Sequence, residues 1–267
     1  MSAARVDVYD GRRVSEAFQF QNRVAVVTGG AKGIGAATVR AFHRDGARVA
    51  ALDVEAATEL GERALFVRCD VSKEREVQAA FEKIKQQFGG VDYLVNNAGI
   101  QRYSAVTETS EDEWDLVLNV NLKSAFLCAK HAIPLMLARG AGVVVNLSSI
   151  QAFVSQNRVA PYTTSKTALL GLTRSIAVDY APKIRCVAVC PGTVDTPMLR
   201  WAIEQSPNPQ EVLEECNRMH PVQRIAQPEE IAELILYLCS DKAGFITGQA
   251  FRIDGGLGLS IGGSKRE

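Results

Sequence analysis

Order along the chain constrains the fold most: short apolar runs rich in β-branched residues alternate with stretches of helical periodicity almost from end to end. Strands are expected at residues 23–28, 47–53, 64–68, 91–96, 142–147, 184–190 and 250–253, and helices at 36–45, 73–88, 111–139, 161–180 and 229–239. Several of the strands are continuous apolar runs, the pattern of strands covered on both faces. Strands alternating with helices predict an α/β architecture, a doubly wound parallel sheet with helices on either side. No repeat or linker divides the 267 residues, so one domain is expected from residue 23 to 267, behind a polar N-terminal extension of residues 1–22.

Composition removes several classes of function. The chain is 47% hydrophobic and 22% charged, and its 30 basic residues are balanced by 30 acidic ones. A balanced chain with no basic cluster argues against nucleic acid as a partner and leaves a small-molecule substrate. The most apolar stretch, residues 231–239, contains Glu233 and falls far short of the roughly 20 apolar residues of a spanning helix. No membrane partner is therefore expected. The leader carries both acids and bases and no apolar core, so a cytoplasmic location is the expectation. The six cysteines form no C-x-x-C pair and read as reduced core residues. His43, His131 and His220 have no metal-ligand spacing, so no metal is expected.

The first strand runs into Thr28-Gly29-Gly30-Ala31-Lys32-Gly33-Ile34-Gly35 and then a helix. Glycines let backbone turn sharply and approach a pyrophosphate, and the helix N-terminus offers it free N–H groups and partial positive charge. The spacing is Gly-x-x-x-Gly-x-Gly, which differs from G-x-G-x-x-G, so strand-turn-helix context carries the inference. Asp53 closes the second strand at about the 20-residue offset where a carboxylate meets dinucleotide ribose hydroxyls. Such a carboxylate repels a 2′-phosphate and favours NAD over NADP; a plain turn or capping role is the alternative. Lys32 either attracts a 2′-phosphate or faces solvent.

Strand 142–147 ends in Ser148-Ser149, and Tyr162 and Lys166 follow at a separation of four, which places them on one helix face. An ammonium beside a phenol, together with the positive nicotinamide of an oxidised cofactor, favours tyrosinate and lowers the phenol's usual value near ~10. Tyr162 is then a candidate acid/base toward an alcohol, with Ser149 hydrogen-bonding the same oxygen. A nucleophilic serine is disfavoured, because no histidine lies near Ser149 in sequence and no Gly-x-Ser-x-Gly elbow surrounds it.

Taken together, the 28–35 turn, Asp70-Val71, Asn96-Asn97-Ala98-Gly99, Asn119-Val120-Asn121, Asn146-Leu147-Ser148-Ser149, Tyr162-Thr-Thr-Ser-Lys166 and Pro191-Gly192-Thr193-Val194-Asp195-Thr196 resemble, in order, the motifs of the short-chain dehydrogenase/reductases. The resemblance spans about residues 22–258. It implies a Rossmann-type fold and a catalytic set of Asn121, Ser149, Tyr162 and Lys166, with Asn121 at a helix kink. It further implies cofactor contacts from Gly29, Lys32, Gly33, Ile34, Gly35 and Asp53 at the phosphate and ribose end. Asp70 and Val71 would meet the adenine, Asn97, Ala98 and Gly99 the adenosine ribose, and Pro191, Gly192, Val194 and Thr196 the nicotinamide; Tyr162 and Lys166 also face the cofactor. A mobile substrate lid is implied at about 197–221, and a homotetramer through the 111–139 and 161–180 helices.

Gln101, Arg102, Gln151, Gln156, Asn157 and Arg158 make the chemical end polar, which points to a sugar, polyol or hydroxy acid. The leading expectation is an NAD-dependent dehydrogenase of a small polar secondary alcohol. An NADPH-dependent 3-oxoacyl reductase, favoured by Lys32, and a non-catalytic dinucleotide sensor are the alternatives.

Overall fold

The apolar runs become seven strands: β1 (Val24–Thr28), β2 (Arg48–Asp53), β3 (Ala64–Arg68), β4 (Tyr93–Asn96), β5 (Gly142–Leu147), β6 (Ile184–Pro191) and β7 (Ala250–Ile253). The structure, a computed structural model, describes residues 19–56 and 64–259; most of the expected N-terminal extension and the end of the Gly-rich tail lie outside them. The strands form one sheet in the order β3-β2-β1-β4-β5-β6-β7, and every pairing is parallel. This is the expected doubly wound, Rossmann-like arrangement.

Period-two alternation inside a continuous apolar run builds the core on both faces. In β1, Val24 and Val26 join one cluster with Ile84, Leu94 and Leu127. Ala25 and Val27 join the other, with Phe42, Ile231 and Ile235. The first face is covered by α2 (Glu74–Phe88) and α4 (Ser124–Ala138), the second by α1 (Gly33–Arg44) and α8 (Pro228–Cys239). Phe20, within the span read as extension, is buried in the second cluster, edge-on to Phe42 and Tyr93 at 5.0 and 5.3 Å. Five of the six cysteines are buried.

Two segments differ from the sequence expectation. The helical stretch 111–139 is three pieces: α3 (Glu111–Leu118), a π-helical turn at Asn119–Lys123, and α4. The proline-containing stretch after β6 holds α6 (Pro197–Glu204) and α7 (Pro209–Met219), each with its proline at the first turn. There the missing N–H costs nothing and the fixed φ suits helix entry.

Strand order reverses between β1 and β4, where the chain leaves β1 toward β2 on one side and returns to β4 on the other. Open α/β sheets bind ligands in the crevice beyond the strand C-termini at such a switch point. At the opposite end of the sheet, the buried Asp92 accepts from Val24 N (2.8 Å) and pairs with Arg23 and Arg139.

Candidate active site

At the switch point, β1 ends in Thr28 and the chain turns through Gly29 (φ +63°) and Gly33 (φ +52°), conformations that side chains disfavour. A Cβ at Gly35 would lie 1.9 Å from the Gly29 carbonyl, so only glycine lets the turn fold back onto α1. Asn97, just beyond β4, clamps this turn: its Nδ2 donates to the carbonyls of Thr28 (2.9 Å) and Gly29 (3.0 Å). Asn97 and Ala98 N–H groups both donate to Thr28 Oγ1 at 3.0 Å. The Asn97 side chain therefore shapes the cradle. No side chain caps α1, which leaves its leading N–H groups, those of Gly33, Ile34 and Gly35, open to an anion.

Asp53 closes β2 beside this turn, with Oδ2 accepting from Ala31 N (3.0 Å) and Oδ1 from Glu55 N (3.1 Å). A carboxylate that takes backbone donors holds its charge in a fixed place. Lys32, on the exposed rim, pairs with Glu55 at 2.5 Å. Asp70 accepts from Ser72 N and Oγ and so shapes the turn ahead of α2, with Val71 buried next to it. A glycine-built cradle, an open helix N-terminus and a carboxylate at the neighbouring strand end fit a dinucleotide.

The chemical end assembles from four elements. Ser149 follows β5 and accepts from Gln151 N at 3.1 Å. Tyr162 and Lys166 lie on α5 (Ala160–Tyr180), both buried, with the Lys166 Nζ 5.6 Å from the Tyr162 ring centroid. That amine donates to the Leu147 carbonyl at 2.7 Å, which ties the helix to the end of β5. Asn121 sits in the π-helical turn and is 2% exposed. Its Oδ1 accepts from Ile100 N (2.8 Å), and its Nδ2 donates to Ile100 O (2.9 Å) and Ser165 Oγ (3.1 Å). A Cβ on Gly99 would touch both Asn121 Oδ1 and Lys166 Nζ at 3.4 Å, so these three residues of distant sequence meet at one point. The widened turn is the kink that the resemblance implies, and π-bulges recur at functional sites.

Without a cofactor, burial dominates the electrostatics of the pair. Burial pushes the Tyr162 phenol up to about 12, against an opposing hydrogen bond from Ser149, and pushes the Lys166 amine down to about 8. Desolvation is the largest cause for both groups, since burial disfavours the charged form of each. In the protein alone the phenol is held as the acid.

The segment after β6 completes the floor. Gly192 N donates to Ile253 O at 3.0 Å, Val194 bridges to Ala226, and Thr196 Oγ1 caps α6 by accepting from Leu199 N. The Thr196 methyl lies 3.2 Å from where a Gly33 Cβ would stand, so the Pro191–Thr196 segment abuts the Gly-rich turn. His220 went unassigned by the sequence reading. Buried between the Cys216 carbonyl, 2.6 Å from its Nδ1, and Thr193 N, which donates to its Nε2 at 3.1 Å, it pins this segment. Its partner lies far away in sequence, so no local spacing signalled it. Beyond α6 opens a cleft of about 490 Å³, lined among others by Arg102, Tyr103, Glu113, Trp201 and Gln205.

Known proteins match the arrangement. A family model described as "Enoyl-(Acyl carrier protein) reductase" matches residues 29–258. An uncharacterized oxidoreductase of Thermotoga maritima is 42% identical over 89% of this chain and 98% of that protein. The cis-4-hydroxycyclohexanecarboxylate dehydrogenase of Sinomonas cyclohexanicum is 41% identical over 89% of this chain and 97% of its own. Among solved structures, the ligand-free aldohexose dehydrogenase of Thermoplasma acidophilum superposes with a TM-score of 0.90 at 38% identity, covering 94% of this chain and all of that one. Fold and relatives define an oxidoreductase of the dehydrogenase type. The chain belongs to the short-chain dehydrogenase/reductase family.

Proposed function

We propose that this chain is an NAD-dependent dehydrogenase of a small polar secondary alcohol, with Tyr162 exchanging the hydroxyl proton. The observation that supports the reading best is the convergence of Asn121, Ser149, Tyr162 and Lys166 at the C-terminal ends of β4 and β5, beside a glycine cradle suited to a dinucleotide.

A bound nicotinamide would supply the hydride acceptor, and the oxidised ring its positive charge. The Gly29–Gly35 turn, Asp53, the Asp70 and Asn97–Gly99 segments and the Pro191–Thr196 segment are the residues that would hold it. Tyr162, held protonated, is poised to give its proton to a carbonyl oxygen in reduction and to regain it in oxidation. Ser149 stabilises charge on that oxygen. Lys166 ties α5 to Leu147 and keeps a cation under the phenol. Asn121 fixes Ile100 and Ser165 and so joins the segment after β4 to α5.

Asp53 supports NAD over NADP, and Glu55 strengthens the case by pairing with Lys32, the cation that would otherwise attract a 2′-phosphate. The second reading, an NADPH-dependent 3-oxoacyl reductase, draws on Lys32 and on the acyl-carrier wording of the family model. The hydroxy-acid and sugar dehydrogenases among the similar proteins support a small polar substrate instead. Residues 197–221 supply α6 and α7 beside the cleft and fit the role of lid. Among the described residues no helix is long and apolar enough to cross a membrane; a cytoplasmic enzyme remains the working picture.

Titrating the protein with NAD⁺ and NADP⁺ separately tests the cofactor assignment. NAD⁺ should bind at least tenfold more tightly, and Asp53→Ala should erode that ratio, since it removes the charge that repels a 2′-phosphate. Tighter binding of NADP⁺ by the unaltered protein would overturn the assignment.

A further inference from the structure

The cleft beyond α6 holds a cation, Arg102, that pairs with no carboxylate among the described residues. Arg158 is paired in a fork with Glu108, Arg200 in a fork with Asp195, and Lys32 with Glu55. Among the described residues, Arg102 has no carboxylate partner; its side chain makes one hydrogen bond, from Nη1 to the neighbouring Gln101 carbonyl at 2.9 Å. A guanidinium has five donors in a planar fork, so most of this one's capacity is unspent. It is half-buried, which weakens solvent screening of its charge.

Its position is fixed from both sides. Ile100, two residues before it, is clamped to Asn121 through two hydrogen bonds. Ser104, two residues after it, bridges to Val159, three residues ahead of Tyr162 on the α5 side. The segment carrying Arg102 is thus strung between Asn121 of the chemical site and the entry to α5, the helix that carries Tyr162. Tyr103, its neighbour, packs against Trp201 of α6, the rings 6.5 Å apart. The cleft also contains Glu113, but that carboxylate is satisfied locally: it accepts from Ser104 Oγ at 2.9 Å and lies in the first turn of α3, where the helix dipole favours negative charge. The cleft thus holds one cation and one carboxylate, and of the two it is the guanidinium whose hydrogen-bonding capacity is left mostly unspent.

We infer that the alcohol oxidised here carries a carboxylate, and that Arg102 is the residue that binds it. The substrate class is a hydroxy acid, its hydroxyl at Tyr162 and its acid group forked to the guanidinium beneath the Tyr103–Trp201 pair. This rests on the dehydrogenase reading above and narrows its three substrate classes to one. A bidentate guanidinium–carboxylate pair combines charge with planar geometry, so it selects an acid over an uncharged molecule of the same shape.

The test uses matched pairs: 2-, 3- and 4-hydroxy acids and cis-4-hydroxycyclohexanecarboxylate, each beside its primary amide, with polyols, aldohexoses and amino alcohols alongside, all followed by NADH formation. The unaltered enzyme should prefer the best acid over its amide by roughly ten- to hundredfold in kcat/KM, mainly through KM. Arg102→Met should collapse that ratio toward one, and Arg102→Lys, which keeps the charge without the fork, should retain part of it. A preference for amides, sugars or amino alcohols, or a ratio untouched by Arg102→Met, would overturn the inference while leaving the dehydrogenase reading intact. If nothing in the panel reduces NAD⁺, the dehydrogenase reading falls, and quenching of Trp201 fluorescence by the same acids still decides the role of Arg102. Saturable quenching by an acid that its amide does not match, and that is lost in Arg102→Met, supports a carboxylate site; no such difference sinks it.

Discussion

At the scale of single residues, the site pairs a phenol and an amine whose ordinary values burial has moved apart. The Lys166 amine sits near 8 and the Tyr162 phenol near 12, because neither charged form is hydrated. A lysine depressed in the folded state binds its proton less tightly than the unfolded chain does, so below about pH 8 the ammonium is present and above it the amine goes neutral. The phenol keeps its proton throughout that range. Ketone reduction by the NADH complex should therefore hold a level kcat/KM from pH 6 to about 7.5 and decline as pH rises through about 8, when the cation under the phenol is lost. Alcohol oxidation, which needs the phenolate, should instead climb with pH above neutrality. A reduction profile that rises between pH 7 and 9 would contradict this assignment of roles.

At the scale of elements, the π-helical turn between α3 and α4 carries the most function per residue. Asn121 satisfies both backbone groups of Ile100 and touches Ser165, so one side chain joins three elements. Asn121→Ala strands those groups in a buried place; the expected cost is about 2–4 kcal/mol in urea unfolding, with kcat reduced at least tenfold. Full activity in a variant of unchanged stability would show that the turn is incidental. Most elements were legible in the sequence, because strands covered on both faces write their core into unbroken apolar runs. The turn at Asn119–Lys123 was signalled only by the family resemblance that puts a kink at Asn121, since the apolar period passes through it and a single extra backbone residue leaves no mark in a 3.6-residue pattern. Helices α6 and α7 fall in the 197–221 stretch, to which the periodicity assigned no helix; their prolines stand at helix first turns, as Pro228 does in α8. At the site, the i,i+4 placement of Tyr162 and Lys166 and the β2-end Asp53 were readable from spacing. The grip of His220 on Thr193 was not, because tertiary folding alone brings them together.

At the scale of the molecule, the sheet separates support from chemistry. The Asp92 cluster with Arg23 and Arg139 secures the end away from the cleft, and all the candidate site residues gather at the other. The described surface also leaves apolar groups uncovered on the two helices that the family resemblance assigns to subunit pairing: Phe126 on α4 is 50% exposed and Val178 on α5 is 78% exposed. Such exposure on adjoining helices fits burial against further copies of the chain. Light scattering should report a tetramer, and the double substitution Phe126→Glu with Val178→Glu should shift it to smaller species; a monomer in the unaltered protein would remove this proposal. The chemistry itself is tested most directly by Tyr162→Phe, which deletes one oxygen and keeps the ring that packs on Lys166. With NAD⁺ saturating and an accepted alcohol supplied, NADH formation should fall by at least about a thousandfold while NAD⁺ affinity changes less than threefold. Turnover within tenfold of the unaltered enzyme would show that another group moves the proton.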